Sequence, residues 1–103
     1  MRVLVWNCQG VGSPLTIPQL KEANNLLSPN ILFLSETKNK AKFMESVRQK
    51  LGFEESKVVE AMNRAGGMTL MWRKEVTMIQ VLESAFTLEA HLRDNESQQD
   101  CML

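Results

Sequence analysis

Hydrophobic positions along this chain follow two different periods, and each change of period marks an element. Residues 1–6 (MRVLVW) are a short apolar run with both faces hydrophobic, the pattern of a central strand covered on each side. Gly10, Gly12, Ser13 and Pro14 then predict a turn, and Thr16 followed by Pro18 predicts a helix start. Ile17, Leu20, Ala23 and Leu27 fall on one helical stripe that Ser28-Pro29 should stop. Residues 31–34 (ILFL) repeat the buried-strand pattern and end in Ser35, Glu36 and Thr37. A strand, a helix and a second strand in that order predict a right-handed crossover joining two parallel strands.

A second helix is expected with Phe43, Val47 and Leu51 inward, Lys40, Lys42, Arg48 and Lys50 mostly outward, and Gly52 as its stop. Beyond Gly52 the period becomes alternating. Val58 and Val59 suggest a strand, residues 63–67 (NRAGG) a turn and residues 68–72 (MTLMW) another strand. Residues 73–75 form a tight connection into a strand over 76–83. Phe86, Leu88, Ala90 and Leu92 then alternate with polar residues as in a strand with one wet face. From Asp94 the chain is polar and unpatterned, so residues 93–103 are expected to form a loose polar tail. The expected architecture is α/β, with a parallel βαβ start followed by antiparallel strands.

Composition narrows the function classes. With 103 residues, 44% hydrophobic and 23% charged, the chain has room for one core and is not a disordered or fibrous sequence. Twelve basic and twelve acidic side chains cancel, which excludes a global field toward nucleic acid or membrane. The cancellation conceals an asymmetry: residues 1–52 hold seven Lys/Arg against three Glu, and residues 53–103 hold five against nine acids. Any affinity for nucleic acid is therefore expected in the first half. Cys8 and Cys101 form neither a CxxC pair nor a disulfide framework, which makes a reducing, intracellular setting the default. No apolar run approaches the roughly 20 residues of a membrane span, and no signal-peptide cleavage site follows Arg2. The seven methionines and two tryptophans fall mainly in apolar runs and read as core.

The chemistry-bearing candidates begin with Asn7 and Glu36. If the first two strands are parallel, both emerge at one sheet edge, where open α/β sheets usually bind ligands. Glu36 suits a hard cation such as magnesium, and Asn7 could orient a phosphate or a water. Residues alone leave a plainer alternative open, in which both polar groups mark only the return of the chain to solvent. The basic stretch over residues 38–50 likewise reads either as a phosphate-tracking face or as an ordinary solvated helix face. Arg64, in the Gly-rich turn, likewise reads either as substrate-facing or as the ordinary exposed Arg of a hairpin turn. His91, the only histidine, reads as a solvated residue.

Three segments carry a resemblance. Residues 6–10 (WNCQG), 28–38 (SPNILFLSETK) and 66–72 (GGMTLMW) resemble, in order and spacing, the WNCRG, PDILFLSETK and GGLALLW blocks of plant LINE-type (non-LTR) retrotransposon endonucleases. These belong to the endonuclease/exonuclease/phosphatase superfamily, whose fold is shared with apurinic/apyrimidinic endonucleases and DNase I. The resemblance spans residues 1–92 and implies the amino-terminal half of such a domain, a partial DNase I-like two-sheet α/β sandwich with helices outside. It implies magnesium-dependent hydrolysis of DNA phosphodiesters, with Glu36 as metal ligand, Asn7 holding the metal shell and scissile phosphate, and Lys38 reaching the nucleic-acid backbone. Gln9 stands where apurinic/apyrimidinic enzymes carry Asp and plant LINE proteins commonly carry Arg.

The family's later Asp-x-Asn and Ser-Asp-His motifs do not occur in these 103 residues. That leaves three expectations: a truncated endonuclease inactive alone, a retained module binding DNA weakly or docking a protein, or an enzyme completed by another chain. Because the sheet that should cover the inner face of residues 68–92 is expected to be largely missing, self-association through uncovered sheet is also expected.

Overall fold

The computed structural model describes residues 1–10, 16–61, 66–84 and 87–103. Its elements are β1 (Val3–Asn7), α1 (Thr16–Leu27), β2 (Ile31–Ser35), α2 (Ala41–Leu51), β3 (Glu55–Val59), β4 (Met68–Trp72), β5 (Val76–Glu83), β6 (Leu88–Asp94) and β7 (Gln99–Met102). A four-stranded mixed sheet has the order β1-β2-β4-β3, and an antiparallel three-stranded sheet the order β5-β6-β7. β1 and β2 are parallel, with Val3 opposite Ile31 and Asn7 opposite Ser35, as the strand-helix-strand order predicts. This is an α/β fold, and its two sheets face each other.

Alternation along β2 and β4 produces two cores. Leu32, Leu34 and Met71 point toward the helices and pack with Leu20, Met44, Val47, Leu51 and Phe53. Ile31 and Leu70 point the other way and pack with Val76, Ala90 and Leu92 of the second sheet. β2 is therefore covered on both faces, which is why ILFL carries no polar alternation. Far from the site, the guanidinium of Arg73 ties several segments together. Its Nε donates to the Pro29 carbonyl at 2.9 Å, its two terminal nitrogens donate to the Gly52 carbonyl and Asn24 Oδ1 at 3.0 and 2.8 Å, and it stacks over the Phe53 ring at 4.1 Å.

Helix α2 ends at Gly52, whose φ of 80° is left-handed and whose N–H returns to the Arg48 and Gln49 carbonyls. That stop is as expected, but its inward stripe is Met44, Val47 and Leu51, while Phe43 is 37% exposed. The spacings 43/47/51 and 44/47/51 both suit a helix, and one residue rotates the face by about 100°. Leu27, also expected inward, is exposed at the end of α1.

Three further expectations are corrected. β1 is not central among the described residues: there it pairs with β2 alone, and Val5 is 66% exposed. The inner face of β4 and β6 is not uncovered, because Leu70, Ala90 and Leu92 close against each other. The uncovered apolar surface lies instead along β1. Finally, the supposed tail contains β7, which continues the second sheet beyond β6 through an Asp94–Gln99 to His91–Met102 ladder. Asp100 accepts from Arg93 Nε at 2.8 Å and pairs with His91 Nε2 at 3.1 Å, so polar residues without apolar alternation still complete a strand. Among the described residues no helix is long and apolar enough to cross a membrane.

Candidate functional site

Parallel pairing fixes the geometry of the candidate edge. Asn7 ends β1 directly opposite Ser35, the last residue of β2, and Glu36 follows at once. Beyond the strand ends the chains stay hydrogen-bonded: Cys8 N–H donates to the Ser35 carbonyl at 2.9 Å and Gly10 N–H to the Glu36 carbonyl at 2.8 Å. On the other side, Thr37 N–H donates to the Gly67 carbonyl at 3.2 Å and Lys38 N–H to the Gly66 carbonyl at 2.9 Å. The loop carrying Glu36 is thus stitched to the loop after β1 and to the approach to β4.

Within this loop the backbone alternates. Glu36 and Lys38 have left-handed φ of 50° and 55°, with Thr37 between them, and Gln9 across the edge has φ 49°. Each non-glycine residue held this way costs about 1–3 kcal/mol and persists only where surrounding contacts over-determine it. The consequence here is orientation: Glu36 and Lys38 are exposed while Thr37 is fully buried. Asn7 is exposed too, and its Oδ1 accepts the Gln9 N–H at 3.2 Å, which holds the amide at the turn and leaves acceptor capacity outward.

Thr37 and the glycine pair are the site residues that residue-type reasoning passed over. Thr37 Oγ1 is buried without a hydrogen-bond partner among the described residues, and it lies where a Gly67 side chain would be. Two consecutive glycines ahead of a strand were the available signal, but on their own they read as a turn.

The remaining sequence candidates are dispersed. Arg64 lies outside the described residues. Lys40 Nζ donates to the Ala61 carbonyl at 3.2 Å, and Arg48 bonds Glu45 and the Phe53 and Glu54 carbonyls, so both brace the fold. Lys42 and Lys50 are exposed on α2, but Lys50 belongs to its last turn, away from Glu36. His91 is engaged with Asp100 on the second sheet. Burial pushes the Cys8 thiol, just behind Asn7, up to about 11, so it stays protonated and is no nucleophile at neutral pH.

A divalent cation would find one exposed carboxylate here, that of Glu36, with the Asn7 amide oxygen on the neighbouring strand. No group of three or more His, Cys, Asp or Glu able to hold a metal occurs among the described residues. This donor set is of the kind magnesium takes, one or two carboxylates with several retained waters, and it falls short of the three or four protein ligands usual for zinc.

Two facing sheets with outer helices and a polar edge beyond parallel β1 and β2 define a partial DNase I-like α/β sandwich. Solved structures bear this out across nearly the whole chain. The human Nocturnin catalytic domain aligns with a TM-score of 0.68 at 16% identity, over 99% of this chain and 47% of that one. An AP endonuclease from Archaeoglobus fulgidus aligns at 0.61 and 22% identity, over 87% of this chain and 36% of that one. The 3′ phosphatase NExo from Neisseria, bound to a product DNA hairpin, aligns at 0.58 and 19%, over 91% and 37%. The chain spans about half or less of the length of these proteins. No family model and no curated protein matches it.

Proposed function

We propose that this chain carries the metal- and phosphate-facing edge of a magnesium-dependent phosphodiesterase acting on DNA, related to LINE retrotransposon endonucleases, and that these 103 residues do not turn over alone. The observation that carries the reading is the Asn7–Ser35 register, which sets Asn7 and Glu36 side by side at one edge. The neighbouring folds include an AP endonuclease and a phosphatase with DNA bound, which supports DNA as the substrate class.

Glu36 would hold magnesium, with Asn7 completing its shell or contacting a phosphate oxygen, and the ion would supply stabilisation of charge developing on phosphoryl oxygens. Lys38, exposed two residues beyond Glu36, would bind the adjacent backbone phosphate. No described side chain stands ready to activate water at this edge, and losing a general acid or base typically costs about 10² to 10⁴ in rate. Weak DNA binding without turnover, together with self-association through the uncovered part of the sheet, completes the proposal.

The test is paramagnetic broadening by Mn²⁺, followed by amide NMR, beside a supercoiled-plasmid nicking assay with magnesium. Broadening confined to residues near Asn7 and Glu36, lost in Glu36→Gln, with equal background nicking in both proteins, is the expected result. Magnesium-dependent nicking that Glu36→Gln abolishes would overturn the inactivity, and broadening unaffected by the substitution would overturn the metal assignment.

A further inference from the structure

Each of the residues 37–41, which follow Glu36, is bonded to the chain immediately before or after residues 62–65. Thr37 and Lys38 N–H donate to the Gly67 and Gly66 carbonyls at 3.2 and 2.9 Å, and the Asn39 carbonyl accepts the Ala61 N–H at 3.2 Å. Lys40 Nζ donates to the Ala61 carbonyl at 3.2 Å, and the Ala41 N–H donates to Glu60 Oε2 at 2.8 Å. Only the bonds of Lys40 and Glu60 use side chains. The Glu60 bond is the shortest of the set and joins a carboxylate just beyond β3 to the first residue of α2.

Helix α2 has no cap of its own. Lys40 precedes it in extended conformation without a side-chain cap, and its first turn holds no acidic residue. Lys40 and Lys42 instead add positive charge at the end of the helix where backbone N–H groups have no partner within it. A helix begun in this way frays unless an acceptor arrives from elsewhere in the chain. Glu60 is that acceptor, and its negative charge also opposes the positive end of the helix. Fraying of this turn would free Asn39 and Lys40 from Ala61. The loop before them would then relax, because the left-handed φ of Glu36 and Lys38 persists only while surrounding contacts over-determine it.

We infer that Glu60 is a positioning residue for the Asn7–Glu36 edge: by capping α2 from the end of β3 it fixes the backbone of residues 36–40, and so the direction in which the Glu36 carboxylate is presented. This rests on the reading of Glu36 as a magnesium ligand. Glu60 acts through the hydrogen bond that it accepts and not through its charge at the ion, since its bond is made to the α2 backbone beyond Lys38 and Asn39. The two roles are separable by substitution. Glutamine keeps an acceptor oxygen for the Ala41 N–H and removes the charge, whereas alanine removes both.

Two measurements on the full chain test this, with urea denaturation as the check on folding. In the metal-free protein, amide exchange followed by NMR should quicken at Thr37, Lys38 and Ala41 by about fivefold to tenfold in Glu60→Ala, the equivalent of one lost cap, and return close to the wild-type rate in Glu60→Gln. Binding of Mn²⁺ alone, read from the electron paramagnetic resonance of the free ion, should weaken about tenfold in Glu60→Ala and be nearly restored in Glu60→Gln. Thr77→Ala removes an exposed hydrogen bond to Asn95 on the second sheet and should change neither reading. Exchange at Thr37 and Lys38 that does not respond to Glu60→Ala would overturn the inference, as would equal losses in the alanine and glutamine variants. Faster exchange with undiminished Mn²⁺ binding would reduce Glu60 to a helix cap and overturn its positioning role. A wild type that binds no Mn²⁺, with exchange responding as expected, would overturn the metal reading of Glu36 and leave the bracing of the loop by Glu60 standing.

Discussion

Gly67 and Thr37 approach so closely that no side chain fits at position 67: a Cβ built there would lie 2.4 Å from Thr37 Oγ1 and 3.2 Å from the Lys38 nitrogen. The same glycine accepts the Thr37 N–H through its carbonyl. It therefore sets the depth of Thr37, and through the chain the exposure of Glu36 on one side and Lys38 on the other.

Gly66 and Gly67 both have left-handed φ, 75° and 89°, but nothing lies within 4 Å of a Cβ at Gly66. Gly66→Ala should cost only backbone strain, about 1–2 kcal/mol. Gly67→Ala should cost that plus a forced shift of Thr37, for a total of roughly 2–5 kcal/mol. Urea denaturation of the two variants measures the difference, and equal losses would show that the Thr37 contact does not constrain the loop.

The second sheet should be part of one cooperative fold, because Leu92 is fully buried between the sheets. Leu92→Ala is expected to cost about 2–5 kcal/mol. Leu82→Ala, on the same sheet but 54% exposed, should stay within about 0.5 kcal/mol. Comparable small effects at both positions, read from chemical denaturation, would show that β5, β6 and β7 do not pack on the first sheet.

Burial raises the Cys8 thiol from 9.0 to about 11. The fold thus favours the neutral thiol, so this group's contribution to stability is fully present below pH 9.0 and is lost as pH rises toward 11. Wild type minus Cys8→Ala stability, followed by denaturation across that range, should fall with rising pH. In the native protein at pH 8 a thiol reagent should modify the half-buried Cys101 well before Cys8, which is 6% exposed. Equal labelling rates would contradict the burial of Cys8.

Binding to DNA should be weak, indifferent to sequence and steeply reduced by salt, since lysine contacts to phosphate would supply it. Lys38→Gln and Lys42→Gln should each weaken it and lower the log–log salt slope by up to about 0.9 per lost contact. Lys50→Gln, at the far end of α2, should leave it unchanged. Fluorescence anisotropy on a labelled duplex distinguishes these outcomes, and a Lys50 effect as large as that of Lys38 would move the binding face away from the Glu36 edge.

From residue order alone, the start of this protein is determined. The runs VLVW and ILFL around an amphipathic helix require a parallel crossover, and that crossover brings Asn7 and Glu36 to one edge. Ser28-Pro29 and Gly52 mark the helix ends for equally local reasons, blocked or left-handed backbone. Tertiary structure decided what depends on partners distant in sequence. Phe43 and Met44 both suit the α2 stripe, and only the position of β2 and β4 beneath the helix selects Met44. The polar residues of β7 have no strand pattern, because their pairing comes from the open edge of β6 and from Asp100 meeting Arg93 and His91. β1 reads as a central strand because both of its faces are apolar, yet position in a sheet is set by which edges other segments occupy, and the described residues occupy only one of them. The fit of Thr37 against Gly67 joins residues thirty apart in the chain, and periodicity, which reports only which face a side chain takes, carries no information about such a contact.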